Sequence, residues 1–146
     1  MATPMSVSIV SPESEVWRGE AEMVVARSPE GEFAILHGHI PFLAALVPGR
    51  VSVVSSNERD EYFVSGGFLE ASRGAAGSSQ DGQEEHDYHV IVLADDAEDL
   101  SSIDANEARR RVVEAQAEAA EASDERAEAR MRIEMARAEL AEARGE

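Results

Sequence analysis

At 146 residues the chain has room for one medium domain, or for a compact domain with a small helical appendage. Hydrophobic residues make up 43% of it and aromatic residues only 5%, so a core must be built from Val, Ile, Leu and Ala. The formal net charge is -17 and every basic residue is an arginine, a balance that repels nucleic acid and anionic lipid and excludes phosphate-backbone binding as a role. Residues 1–96 read as strands. Met5, Val7 and Ile9 alternate with Ser6 and Ser8, the period of a half-buried strand. Met23 to Ala26 and Phe33 to Leu36 are short apolar runs between Pro/Gly punctuation. Val51 and Val53 flank Ser52 and lead to a Ser-Ser-Asn turn, and Tyr62 to Val64, Gly67 to Leu69 and Val90 to Leu93 complete the set. Many short strands with no helix between them point to a sandwich or flattened barrel rather than a parallel sheet.

Residues 71–87 fit neither half. The segment ASRGAAGSSQDGQEEHD is Gly/Ser/acid-rich, with too little apolar surface to offset its ordering entropy, and reads as a mobile loop between two strands. A linker is expected at 97–103. From Ile103 the period becomes helical: Ala108, Val112, Ala115, Ala119 and Ala122 form one stripe, and Ala129, Ile133, Ala136, Leu140 and Ala143 another. Ser123 and Asp124 supply a turn and an N-cap between them, so residues 104–146 are expected to fold as an antiparallel helical hairpin. Glu107 with Arg111 and Glu128 with Arg132 are i,i+4 pairs, each worth a few tenths of a kcal/mol. Because the stripes are mostly alanine, and a buried methyl contributes only ~0.8 kcal/mol, the helices should be stable as helices yet weakly docked.

Several segments, in order, resemble the epsilon subunit of bacterial F-type ATP synthases. They are Val10-Ser11-Pro12-Glu13 with Val16-Trp17-Arg18-Gly19-Glu20; Glu30-Gly31-Glu32-Phe33-Ala34-Ile35-Leu36-His37-Gly38-His39-Ile40-Pro41; Val64-Ser65-Gly66-Gly67-Phe68-Leu69-Glu70; Val92-Leu93-Ala94-Asp95; and Ile103-Asp104. The resemblance spans nearly the whole chain apart from 71–87. It implies an antiparallel β-sandwich of about ten strands followed by a two-helix hairpin, in agreement with the periodicities. It also implies a non-catalytic rotor subunit that needs no cofactor. The sandwich would pack on the gamma subunit and the c-ring, passing proton-driven rotation up the central stalk. The hairpin would fold against the sandwich or extend to the catalytic beta subunit and restrain ATP hydrolysis. The chain would then sit peripherally on the cytoplasmic face of the cell membrane, held only through the complex.

Carried over position by position, the resemblance makes Glu32 and His39 candidates for contact with the c-ring, and Arg126, Arg130 and Arg137 candidates for contact between an extended hairpin and an acidic segment of the beta subunit. The competing reading of each set is an ordinary solvated surface. Some family members bind ATP through an Ile/Leu-Asp-x-x-Arg-Ala motif. Here the run is Ile103-Asp104-Ala105-Asn106-Glu107-Ala108, and a carboxylate at 107 would repel a phosphate.

Two other classes of function are open to the residues. His37-x-His39 has a spacing that metal sites use, but it needs further ligands, and Glu32, His86 and His89 are not in register with it; no metal is expected. An Ala-rich hairpin also suits a soluble adaptor. No cysteine is present, so neither a disulfide framework nor a Cys-based metal site can form. No run approaches the roughly 20 apolar residues that span a bilayer, and the N-terminus lacks the basic-then-apolar pattern of a secretory signal.

Overall fold

The computed structural model describes residues 3–73 and 87–144. Ten strands precede two helices: β1 (Met5–Val10), β2 (Glu15–Ala21), β3 (Met23–Ser28), β4 (Gly31–Leu36), β5 (Phe42–Leu46), β6 (Gly49–Val54), β7 (Arg59–Val64), β8 (Gly67–Arg73), β9 (Tyr88–Ala94) and β10 (Ala97–Asp99), then α1 (Ala105–Ala122) and α2 (Glu125–Arg144). The strands form two five-stranded sheets, ordered β2-β1-β9-β8-β5 and β10-β7-β6-β3-β4. Neighbours are antiparallel except β1 and β9, which run parallel. No hairpin joins that pair, so nothing in the local chain path forces them antiparallel.

Alternation places one set of side chains from each sheet between the layers. Met5, Val7 and Ile9 of β1, Val90 and Val92 of β9 and Leu69 of β8 meet Val24, Ile35, Val51, Val53 and Val64 of the second sheet, all essentially inaccessible. Each such side chain contributes about 1.5–3 kcal/mol through burial, which makes this the main source of stability. The β7–β8 turn depends on glycine. Gly67 has φ +133°, and a Cβ there would lie 2.1 Å from the carbonyl oxygen of Leu93 on the neighbouring strand.

The structure extends the strand region at two places. Ala71 to Arg73, read from sequence as the start of a loop, continue β8 and pair with Val90, His89 and Tyr88. Residues 74–86 of that segment lie outside the described residues, and Asp87 directly precedes β9. The expected linker at 97–103 contains β10, paired with Val64, Phe63 and Tyr62, and a 3-10 turn over Leu100–Ser102. Pairing with β7 thus imposes strand structure on an acidic run that has no apolar alternation of its own.

Asp104 caps α1 by accepting a hydrogen bond from the Glu107 backbone N–H at 3.0 Å. That bond, with a second from Asn106, holds its carboxyl below the usual aspartate range. Helix α1 ends at Ser123, which adopts the left-handed conformation with φ 50°. Asp124 then accepts from the Ala127 N–H at 2.8 Å and starts α2. The two helices pack as an antiparallel hairpin on the second sheet. A separate small core of Phe63, Leu100, Ile103, Ala108, Ala138 and Ala141 joins them to it. The buried line of α2 runs through Ala127, Glu134, Arg137, Ala138 and Ala141, whereas Ala129, Ile133, Ala136 and Leu140 are half-buried and Ala143 is exposed. The expected stripe is therefore rotated, because α2 must serve both α1 and the sheet and admits a charged residue between them.

Candidate functional site

Two surfaces stand out from an otherwise ordinary exterior. The first is the outer face of the first sheet. At Phe68-Leu69 of β8 and Ile91-Val92-Leu93 of β9 both phases of the alternation are apolar, so side chains left over from the core point to solvent. Phe68 and Leu93 are each 53% exposed. They are cross-strand partners, and the same row continues to Val10 on β1 and Ala45 on β5. Val10, Phe68 and Leu93 line, with Ser11, Pro12, Ala94 and Asp95, a shallow hollow of about 330 Å³. On the next row Leu43 lies opposite Glu70, and beyond the end of β4 Ile40 is 73% exposed. Sequence reading found these strands but not this face. The available signal was the doubled apolar phase of Phe68-Leu69 and Ile91-Val92-Leu93 in a sheet with no helices over it.

The second surface is the seam between hairpin and sandwich, where Arg137 is 5% exposed. Its Nε donates to Glu98 Oε2 at 2.6 Å and its Nη2 to Glu98 Oε1 at 3.0 Å. Nη2 also lies 3.0 Å from Glu107 Oε1. The hydrogen bonds to Glu98 raise its pKa further above the ordinary arginine value, against the opposing effect of burial. Arg126, Arg130 and Arg137 do share one flank of α2, but the three differ in environment. Arg126 is exposed, Arg130 is ion-paired to Glu118 of α1, and Arg137 faces inward. The flank borders α1, so packing of the hairpin itself neutralises part of it.

The remaining candidates are dispersed. Glu32 is exposed near the start of edge strand β4, at a cleft of about 260 Å³ shared with Arg27, Arg50, Ala136, Glu139 and Leu140. His39 follows the other end of β4, past a turn in which its backbone N–H donates to the Leu36 carbonyl at 3.1 Å. Its Nδ1 donates to the Ile40 carbonyl at 2.8 Å, and its ring meets Phe42 edge-on at 5.4 Å. The structure does not bring Glu32 and His39 together. His37 turns the other way, with Nε2 2.7 Å from Asp87 and its ring tilted against buried Tyr88. Among the described residues no group of His, Asp or Glu is arranged to hold a metal ion; His86 lies outside them. Ile103 and Ala108 are buried in the small core, Asp104 is spent on capping, and Glu107 holds Arg111 at 2.6 Å as well as Arg137. The Ile103–Ala108 run is thus occupied by contacts within the chain. No helix among the described residues is long and apolar enough to cross a membrane.

Comparison with known proteins gives a consistent result. Residues 4–75 match the family model described as the ATP synthase delta/epsilon chain, beta-sandwich domain. The ATP synthase epsilon chain of Myxococcus xanthus is 36% identical over 112 residues, covering 77% of this chain and 72% of that one. The epsilon chain of Hydrogenovibrio crunogenus is 39% identical over 118 residues, covering 79% and 72%. The sodium-ion-specific epsilon chain of Propionigenium modestum is 36% identical, covering 75% and 69%. Among solved structures, a chain of the Euglena gracilis mitochondrial ATP synthase OSCP/F1/c-ring assembly superposes with TM-score 0.72 at 21% identity, covering 98% of this chain and 82% of that one, a likeness of fold.

Proposed function

The chain belongs to the ATP synthase epsilon-chain family, non-catalytic subunits of that complex, and from this membership we propose that its sandwich couples rotation through the central stalk while its hairpin regulates ATP hydrolysis. The observation that carries the coupling half is the apolar row of Val10, Leu93, Phe68 and Ala45 on the uncovered face of the first sheet. An exposed row of this kind marks a surface meant to be covered. The gamma subunit is the proposed partner there. The loop carrying His39 and Ile40 is the proposed contact to the c-ring, with Glu32 as a more distant point toward the same ring. On this reading the chain would sit peripherally at the cytoplasmic face of the cell membrane, held there by the complex.

The regulatory half is supported by how the hairpin is joined. It is joined through a small core separate from that of the sandwich, half of whose buried residues are alanine, and both helices are capped within the hairpin segment. It can therefore leave the sandwich as a folded unit, at the cost of a modest apolar contact. Once extended, Arg126 and Arg130 would face the beta subunit, and Arg137 would join them only after leaving Glu98. Nucleotide plays no part in this scheme, since Glu107 stands in the place of the motif arginine and is engaged with Arg137. The test is ATP hydrolysis by the enclosing complex, reconstituted with the full chain or with residues 104–146 removed. Hydrolysis should rise without the hairpin while the complex still assembles. Equal rates would refute the regulatory reading, and failure of the full chain to co-assemble would refute the coupling one.

A further inference from the structure

We propose that Arg137 is the latch that holds the hairpin on the sandwich, with Glu98 as its fixed catch and Glu107 as a counter-ion that travels with it. The three charges are distributed one to each moving part. Glu98 belongs to β10 and is tied into the second sheet through pairing with Phe63. Arg137 belongs to α2, and Glu107 to the first turn of α1. The fork of Arg137 meets both oxygens of Glu98, at 2.6 and 3.0 Å, a two-point geometry that fixes orientation as well as distance. The third guanidinium nitrogen, Nη1, is buried with no hydrogen-bond partner among the described residues.

Arg137 is buried against a Glu98 whose side chain is 34% exposed, and separating the two gives up a two-point, charge-assisted hydrogen bond. Around it the buried apolar residues are half alanine, with Phe63, Leu100 and Ile103 as the large members and Val112, Ile133 and Leu140 partly buried beside them. The ion pair is thus the most specific element of the joint. Glu107 changes what release involves. It stays beside Arg137 when α1 and α2 leave together, and it also holds Arg111 at 2.6 Å. Release therefore exchanges one carboxylate for water and never bares the guanidinium. An arginine at 107 would face Arg137 with a second positive charge, so the carboxylate that departs from the nucleotide motif has a place in the joint. The regulatory use of the latch rests on the reading above, but the latch itself is a property of the isolated chain.

The absence of cysteine allows a donor and an acceptor to be placed uniquely, at Ser56→Cys in the exposed β6–β7 turn and Glu125→Cys at the start of α2. Single-molecule energy transfer on the isolated full chain then reports the detached fraction. Glu98→Gln and Arg137→Gln should each raise that fraction by about tenfold or more, and the double variant should not exceed the larger single effect. Glu107→Gln should change it by less than about threefold. Hydrogen exchange gives a second readout: α1 and α2 amides facing the sheet should exchange faster in Glu98→Gln, while those of β1, β8 and β9 stay protected. An unchanged detached fraction and unchanged helix exchange in Glu98→Gln would overturn the latch. Equal effects of Glu98→Gln and Glu107→Gln would overturn the role given to Glu107. If Arg137→Gln fails to fold, Glu98→Asp keeps the charge but shortens its reach, and it must fall between parent and Glu98→Gln. Neither measurement involves ATP hydrolysis, so the regulatory reading can fail while the latch stands, and the reverse.

Discussion

Phe68 offers the sharpest test of the docking face. About half of the side chain is open to solvent, in the middle of the row formed with Val10, Leu93 and Ala45. An aromatic side chain of ~200 Å² leaves about 100 Å² for a partner to cover, worth ~2.5 kcal/mol at ~25 cal/mol per Å². Phe68→Thr keeps strand propensity but removes that area, so affinity for the gamma subunit should fall by roughly 60-fold. The inward neighbour Leu69 is untouched, and the sandwich should remain folded with its thermal midpoint lowered by a few degrees. Calorimetric titration of the isolated chain into gamma gives the affinity, and a thermal melt of the same sample gives the control. Phe68→Glu should weaken binding further, since the charge would have to be desolvated. An affinity within threefold of the parent, from a folded variant, would show that the row is not the docking surface.

Gly67→Ala should destabilise the sandwich by about 3 kcal/mol or more, because its Cβ would strike the Leu93 carbonyl while the backbone sits at φ +133°. A drop in thermal midpoint of at least ~10 °C is expected, and one below ~2 °C refutes the strain. Mg-ATP should bind the isolated chain weakly or not at all, as Glu107 is held by Arg137 and Arg111; a low-micromolar dissociation constant by calorimetry would contradict this. Asp104 accepts the Glu107 and Asn106 backbone bonds, and its pKa is lowered in the folded chain. Its stabilising effect is complete above the ordinary aspartate range and lost as pH falls through the lower folded-state value. Asp104→Asn, still a good cap, should leave helicity near neutral pH unchanged and remove part of the acid-side loss seen by circular dichroism; an identical acid limb would exclude this cap as a contributor.

The sandwich was largely legible because its strands obey a two-residue period and glycine or proline marks the turns. Met5, Val7 and Ile9 were expected inside and are inside. β2 and β5 are not among the runs that read as strands, and β10 and the end of β8 lack that signal altogether. β10 is Ala-Glu-Asp, and its extended form comes from Val64, Phe63 and Tyr62 on the adjacent strand. Ser72 and Arg73 look like loop residues, but the ladder with β9 carries them on for two more pairs. In both cases the deciding interaction is tertiary, and no local pattern encodes it.

The site was harder to read, and Arg137 shows why. Spacing of four and seven residues correctly put Arg126, Arg130 and Arg137 on one flank of α2, but spacing is indifferent to what lies opposite. The outcome depends on Glu98, 39 residues earlier, which looks in sequence like one more acid among Asp95, Asp96 and Asp99. Only the pairing of β10 with β7 brings that carboxylate under α2. Glu107 is the same problem reversed: as a motif position it reads as a loss, a missing arginine. In the folded chain it is a gain, a negative charge 3.0 Å from a buried positive one. A charge at a departed motif position can thus be assigned a role only when its partner across the fold is known. Here that partner is Arg137, for which the sequence offered only a solvated flank or, through the family resemblance, a contact with another subunit.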